Sequence, residues 1–283
     1  MQLSNPYDSA KDERRKRSTS DSEFDKYYYY MESVQSPETD AEFLRDTYIE
    51  INSKVPKTLR EDFCGTFAVC CEWAKLGEDH LAYGVDIDSE PIQYGLSQYH
   101  ALLSEEQKTR VNISKGDVLK SELPRTDVSC SLNFSYFCFK ERNILKAYLQ
   151  RTYNALNPDG IHVLDCFGGG KCQEANEEET IDEELNYSYF WDQDSFNPIN
   201  HHAQFYIHFQ KKGEKKREKV FSYDWRMWSL PELRDILLEV GYKDVLFYWE
   251  GTDEDGEGDG TYTRTEDPQE ECEAWVAYIV AKK

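Results

Sequence analysis

No apolar run in the chain approaches the ~20 residues that a membrane-spanning helix needs. The basic start, MQLSNPYDSAKDERRKRSTS, is followed by no apolar stretch, so a secretory signal is not expected. The eight cysteines (Cys64, Cys70, Cys71, Cys130, Cys138, Cys166, Cys172 and Cys272) include no CxxC pair. Most sit inside apolar runs, which suits reduced, buried thiols in the cytoplasm. GxGxxG is absent, because Phe63 and Phe67 flank a single Gly65, and GGGK at 168–171 lacks the spacing of a phosphate loop. There is no internal repeat. Positive charge is also in short supply: 33 Lys and Arg stand against 55 Asp and Glu, a net of −22. That balance argues against a general binder of nucleic-acid backbones.

What is present is a core-forming composition: 39 % apolar and 14 % aromatic over 283 residues, enough for one large domain or two small ones. The acidity is local. Seven acids and no base lie between Glu174 and Glu184, and eleven acids with one Arg lie between Glu250 and Glu273. Runs this dense cannot enter a core and are expected to be solvated loops.

Residues 1–25 are polar and charged and are expected to be disordered. A helix is expected from Ser36–Pro37, carrying Phe43, Leu44, Thr47, Tyr48 and Ile51 on one face until Pro56. Then short apolar segments alternate with helical patterns. The strands are Thr58–Asp62, Leu81–Asp86, Val111–Lys115, Thr126–Asn133 and Gly160–Cys166, with helices near 65–76, 90–103 and 140–156. Such alternation predicts an α/β fold, a doubly wound, mostly parallel seven-stranded sheet. After Cys166 two segments alternate with period two, Ala203–Phe209 and Val220–Met227, joined by KKGEKKREK: a β-hairpin insertion at about 171–228. Ser229 and Glu232 form a capping box for a helix that ends at Gly241. Strands Lys243–Trp249 and Ala274–Val280 complete the sheet. The domain boundary falls near residue 57, with an N-terminal extension of 1–57, a disordered start and then a helix expected to cap the site, and a main domain of 58–283.

The segment TLREDFCGTFAVCCEWAKLGEDHLAYGVDIDSEPI carries the chemistry. A strand ending in Glu61 and Asp62 enters a tight turn, Phe63–Thr66, that opens a helix, and the next strand ends in Asp86. This is the layout of a nucleotide site at the carboxyl edge of a parallel sheet, where an acid after the second strand can accept from ribose hydroxyls. Gly116 and Asp117 follow the third strand, placed to meet an adenine edge. An ordinary strand–helix turn is the competing reading.

The order of elements resembles the class I S-adenosylmethionine (SAM)-dependent methyltransferase fold over residues 58–283. The stretches SVQSPE, LREDFCGT, VDIDSEP, NFSYF, FYIHF, YDWRMWSLPEL and AWVAYIV resemble, more narrowly, one group of such enzymes. The resemblance implies SAM as cofactor. It implies Glu61 as the acid receiving the SAM amino group, with Phe63, Cys64, Gly65 and Thr66 as the turn around the methionine part. Phe67 stands where the family has a small residue. Asp86 resembles the ribose-binding acid, Ile87 the residue beside adenine, and Asp117 and Val118 the adenine-edge contacts. Asn133, Phe134 and Tyr136 resemble the floor where donor and acceptor meet, with Asn133 and Phe134 also as cofactor contacts and Asn133 and Tyr136 as the catalytic candidates.

Methyl transfer needs alignment and exclusion of water more than acid–base chemistry. Asn133 and Tyr136 share the ends of the NPPY motif of N-methyltransferases but lack its prolines; aromatics packed under the cofactor are the alternative. Adjacent His201 and His202 point to opposite strand faces, so with His208 they are not expected to bind a metal. The expected partner is a small-molecule acceptor held under a hairpin lid. A protein acceptor is a further option, whereas nucleic acid and membrane are not expected. The cytoplasm is the expected compartment, with KDERRKR as the feature that would direct the chain to a nucleus. Three other readings compete: a non-catalytic module of the same fold binding a basic protein, an N-methyltransferase of a protein or nucleobase amine, and a Rossmann oxidoreductase.

Overall fold

A computed structural model describes residues 24–122, 124–252, 258–267, 269 and 273–283. The segment expected to be disordered, 1–25, lies outside them except for Phe24 and Asp25. The chain divides into two compact units at Ser36/Pro37. In the first, helix α1 (Lys26–Val34) starts at Asp25, whose carboxylate accepts from the N–H groups of Tyr27 and Tyr28 at 3.1 and 3.0 Å. That is an N-cap satisfying donors the helix cannot.

The second unit opens with α2 (Pro37–Asn52) and builds an eight-stranded sheet. Its parallel half comes from β1 (Thr58–Asp62), β2 (Leu81–Asp86), β3 (Val111–Lys115), β4 (Thr126–Ser131) and β5 (Leu156–Gly168). Between them run α3 (Ala68–Lys75), α4 (Ser89–Gln98), the short α5 (Glu105–Lys108) and α6 (Arg142–Ala155). Strand order is β3-β2-β1-β4-β5, so chain progression reverses between β1 and β4. The crevice over their carboxyl ends is where open α/β sheets bind ligands.

Successive strand residues face opposite sides, and β1 shows it directly. Glu61 accepts from the Cys70 N–H of α3 at 3.1 Å, whereas Asp62 accepts from the Tyr148 hydroxyl of α6 at 3.0 Å. Helices therefore cover both faces. Under α6, Arg60 is buried and donates to Asp62 at 2.8 Å, which keeps an interior charge paired.

The later part follows the sequence only in outline. The first acid run is not a loop: residues 176–182 form β6 (Asn176–Asp182), the edge of a separate antiparallel sheet. The expected hairpin is the inner half of that sheet, which continues through β7 (Tyr187–Phe196), β8 (His202–Lys211) and β9 (Arg217–Arg226). An edge strand needs one hydrogen-bonding partner, and five of these seven residues remain exposed, so carboxylates are tolerated there. Glu177 is further compensated by Lys216 at 2.5 Å, and Glu178 by Lys171 at 3.4 Å.

After α7 (Leu230–Val240), which has the expected Ser229–Glu232 capping box, come β10 (Asp244–Thr252), β11 (Gly258–Thr265) and β12 (Trp275–Lys282). Strand β12 lies antiparallel between β5 and β10. The sheet has one strand more than expected, because part of the second acid segment forms β11 on the outer edge. Helix α2 meets this half: Phe43 stacks on Tyr278 with centroids 4.3 Å apart, and the Tyr278 hydroxyl donates to Asp40 at 2.7 Å.

Candidate active site at the sheet switch point

The turn after β1 is built from left-handed residues. Phe63, Gly65 and Phe67 have φ of +58°, +51° and +48°. A side-chain-bearing residue in that region costs about 1–2 kcal/mol, so both phenylalanines must be held by their surroundings. The Cys64 N–H donates to the Val85 carbonyl at 3.0 Å and the Phe67 N–H to the Cys64 carbonyl at 2.6 Å. The Gly65 N–H donates to Asp86 Oδ2 at 2.8 Å. Phe67 is fully buried, its ring lying where a Cβ on Gly95 of α4 would sit 2.5 Å away. Phe67 thus packs into the α3–α4 core and does not fill the mouth of the turn. A Cβ at Gly65 would meet nothing within 4 Å, so the turn opens to space at that point.

Around this turn stand the acids. Glu61 is 7 % exposed. Burial pushes its carboxyl up to about 8; the Cys70 hydrogen bonds pull it down, and the neighbouring charges of Asp40 and Asp86 push it up again. Asp86 is raised by burial, against hydrogen bonds from Asp88 and Gly65. Its other oxygen, Oδ1, accepts from the Asp88 N–H at 2.8 Å, which also fixes the start of α4. Ile87 is 69 % exposed beside it, an apolar side chain held in the open. The Gly116 N–H donates to the Asp86 carbonyl at 2.8 Å, tying in the turn after β3. There Val118 is buried, and Asp117 is held below the usual carboxylate range by the Leu119 N–H and by Lys120 at 3.0 Å.

Across the crevice, Asn133 and Phe134 follow β4, both left-handed with φ +55°. Tyr136 lies in the following 3-10 turn, fully buried, and its hydroxyl donates to the Asp165 carbonyl of β5 at 2.7 Å. Tyr136 is thus a tether and not an exposed catalytic group. The Phe134 ring stands 4.5 Å from Phe167 and 6.4 Å from Trp225 of β9, so the small antiparallel sheet packs its aromatic face over this floor. Phe205 and Trp225 are buried in that contact, which accounts for most of the aromatic enrichment there as core.

The structure therefore brings together Glu61, the Phe63–Thr66 turn, Asp86 and Ile87. It ties Asp117 and Val118 to them through Gly116, and sets Asn133 and Phe134 on the neighbouring strand end. Sequence reasoning missed Asp40 and Asp165. Asp165 had a signal, a lone acid inside the apolar run IHVLDCFG; Asp40 had none among the other acids of its helix.

Glu177, Asp192 and His208 place ligand atoms within 4.8 Å of one another in the small sheet. The His208 ring is already committed. Nδ1 accepts from the Lys219 N–H at 2.7 Å, so the ring proton sits on Nε2, 3.0 Å from Asp192. A metal on Nε2 would force the proton onto Nδ1 against that N–H. The trio is a hydrogen-bonded ion network.

No family model and no curated protein matches the chain. Solved structures do match in fold. A SAM-dependent methyltransferase from Clostridium acetobutylicum is similar with a TM-score of 0.67 and 14 % identity, covering 90 % of this chain and 96 % of its own. CalS10, an amino pentose methyltransferase from Micromonospora echinaspora, gives 0.62 at 14 % identity, covering 93 % and 98 %. KedS8, a sugar N-methyltransferase from Streptoalloteichus, gives 0.59 at 15 % identity, covering 93 % and 94 %. The chain thus has the Rossmann-like methyltransferase fold, including the separate antiparallel sheet.

Proposed function

We propose that the chain is a SAM-dependent methyltransferase acting on a small-molecule acceptor. One observation carries the reading: a buried carboxyl, an open left-handed turn and a second carboxyl stand together at the switch point of this fold. The residues fit the cofactor. Glu61 is buried among acids, with the neighbouring charges of Asp40 and Asp86 unfavourable to it, an environment that an ammonium group would relieve. The Gly65 turn leaves open space, and a ligand without phosphates needs no glycine-rich diphosphate loop. Asp86 retains acceptor capacity on both oxygens for ribose hydroxyls, and Ile87 offers an apolar side chain to a purine. The LREDFCGT stretch and the narrower group it resembles agree with these roles.

Bound SAM supplies an electrophilic methyl carbon on a sulfonium, open to in-line displacement. The chain's own residues orient and enclose. Glu61 and the turn hold the methionine end, Asp86 and the Asp117–Val118 turn hold the nucleoside, and Asn133 and Phe134 line the acceptor side. The small sheet, inserted at about 171–228, serves as the lid, and α2 closes the crevice from the opposite face. Excluding water there lets alignment dominate the barrier. No helix among the described residues is long and apolar enough to cross a membrane, and an enclosed crevice suits a small acceptor better than a macromolecule.

Calorimetry with SAM and its demethylated product tests the proposal. Folded protein that binds neither would sink it and favour a non-catalytic module of the same fold.

A further inference from the structure

Asp165 is 7 % exposed toward the carboxyl end of β5, and its carboxylate is spent on the backbone of another strand's loop. Oδ2 accepts from the Asn133 N–H at 2.5 Å and Oδ1 from the Phe134 N–H at 2.8 Å. Its own carbonyl accepts from Tyr136, so one residue of β5 grips three of the four residues 133–136. The two residues gripped through their N–H groups are the consecutive left-handed pair. Asn tolerates that conformation singly, but Phe does not, and two such residues in succession are uncommon; the paired N–H bonds to one carboxylate hold them there.

The charge is held at some cost. Burial drives the Asp165 carboxyl up to about 7 against the pull of those two N–H groups, and Asp40 adds to the rise. The groups facing it are Asp40 from α2, Tyr278 opposite it in the β5–β12 ladder, Tyr262 from β11 and Tyr136, all acidic or neutral. A buried acid that no base faces among the described residues is unfavourable for stability alone, which points to a use at the site.

We propose that Asp165 is a positioning residue for methyl transfer: its carboxylate fixes Asn133 and Phe134 as the acceptor floor, separately from the cofactor pocket. The assignment rests on the methyltransferase reading above. A neutral replacement loses it in a specific way. Asn in place of Asp165 can accept from one N–H but turns its own NH2 toward the other, leaving one donor unpaired.

The experiment compares full-length wild type with Asp165→Asn, using SAM in calorimetry and methyl-labelled SAM with a small-metabolite extract for transfer. SAM affinity should stay within about threefold, because among the described residues the Asp165 carboxylate bonds the backbone of Asn133 and Phe134 and none of Glu61, the Phe63–Thr66 turn, Asp86 or Asp117. Label transfer at saturating SAM should fall by about 10- to 100-fold, the range expected for an unsatisfied buried donor. Amide hydrogen exchange at Asn133 and Phe134 should quicken by a similar factor. Wild-type transfer should rise with pH as Asp165 ionises, and the variant should lack that rise, a difference that mere loosening would not produce. A variant that binds SAM and transfers label at the wild-type rate overturns the assignment, as does unchanged exchange at the two amides. If Asp165→Asn does not fold, wild-type amide shifts decide: Asn133 and Phe134 should titrate together, and two amides that stay fixed between pH 5 and 9 refute it. Wild-type protein that fails to bind SAM overturns the cofactor reading and this assignment with it, a result distinct from a variant that is no slower.

Discussion

If Glu61 receives the ammonium group of SAM as proposed, raising the pH should tighten binding, because its carboxyl must first give up a proton. Burial holds its carboxyl up to about 8, so the free protein carries Glu61 mostly protonated at pH 7. Only ~1 % of molecules have the ionised form at pH 6, ~9 % at pH 7 and half at pH 8. Binding selects the ionised form, so apparent affinity follows that fraction. The ligand's own α-amino group loses its charge near pH 8, which trims the gain. The net expectation is about an eightfold increase in affinity between pH 6 and 7, a maximum near pH 8, and ~0.8 proton released per SAM at pH 7, ~0.9 from Glu61 less ~0.1 taken up by the amine. Titrations in buffers of different ionisation enthalpy read that release directly. Glu61→Gln can still accept from the Cys70 N–H but carries no charge. It should bind about 10- to 100-fold more weakly at pH 8, with affinity nearly flat between pH 6 and 7. The variant also separates Glu61 from Asp165 and Asp40, whose carboxyls are raised to about 7 and about 6. A flat wild-type profile, or a slope that survives in Glu61→Gln, would refute the reasoning.

The same three carboxyls set the sign of the stability profile. Their folded values lie above their unfolded ones of 3.8 to 4.5, so the native state binds the extra protons. Stability of the ligand-free protein should therefore fall as pH rises from about 4 to 8 in this region's contribution, and thermal melts with and without SAM should converge less at pH 8 than at pH 6. Gly95→Ala should lower stability by about 1–3 kcal/mol or more, since the new methyl would meet the Thr66 carbonyl at 2.1 Å and the Phe67 ring at 2.5 Å. Denaturant midpoints check it, and an unchanged midpoint would mean that Phe67 is not packed there. Zinc or a chelator should leave the melting temperature unmoved, because His208 Nδ1 accepts from Lys219 at 2.7 Å; a zinc-dependent rise would reverse the tautomer argument.

The parallel half was legible because its inner strands β1 and β4 are buried on both faces and its helices are amphipathic, so periodicity and apolar runs agree. Strands Thr58–Asp62, Leu81–Asp86 and Val111–Lys115 stand where the sequence placed them. Strand β6 was illegible for the opposite reason. Residues such as Glu177, Glu178 and Glu179 bury nothing, and only pairing with Asp192, Trp191 and Phe190 of β7 makes them a strand. Strand β11 is similar, an edge defined by its register with β10. Helix α1 carries four successive tyrosines, a pattern with no 3.6-residue period to read. At the crevice, the spacing of Gly65 and Asp86 read from the sequence does bring them together, the Gly65 N–H donating to Asp86 at 2.8 Å. The partner that Tyr136 finds was not legible, because a carbonyl acceptor leaves no mark in the sequence.

The two loops that meet at the switch point are held by one device used twice. The loop after β1 is strapped by Asp86 from β2, which accepts from Gly65. The loop after β4 is strapped by Asp165 from β5, which accepts from Asn133 and Phe134. In each case the acid belongs to the next strand outward from the switch point, and in each the loop carries left-handed aromatic residues that the strap helps to fix. Strain of about 1–2 kcal/mol per residue is thereby confined to the rim of the crevice, while β1 and β4 beneath it stay regular. The consequence is a division of labour. On the proposed reading Asp86 serves the nucleoside with its remaining acceptor capacity, whereas the enclosed Asp165 carboxylate is spent on backbone. Substitution at Asp86 should therefore register first in cofactor affinity, and substitution at Asp165 first in the rate of transfer.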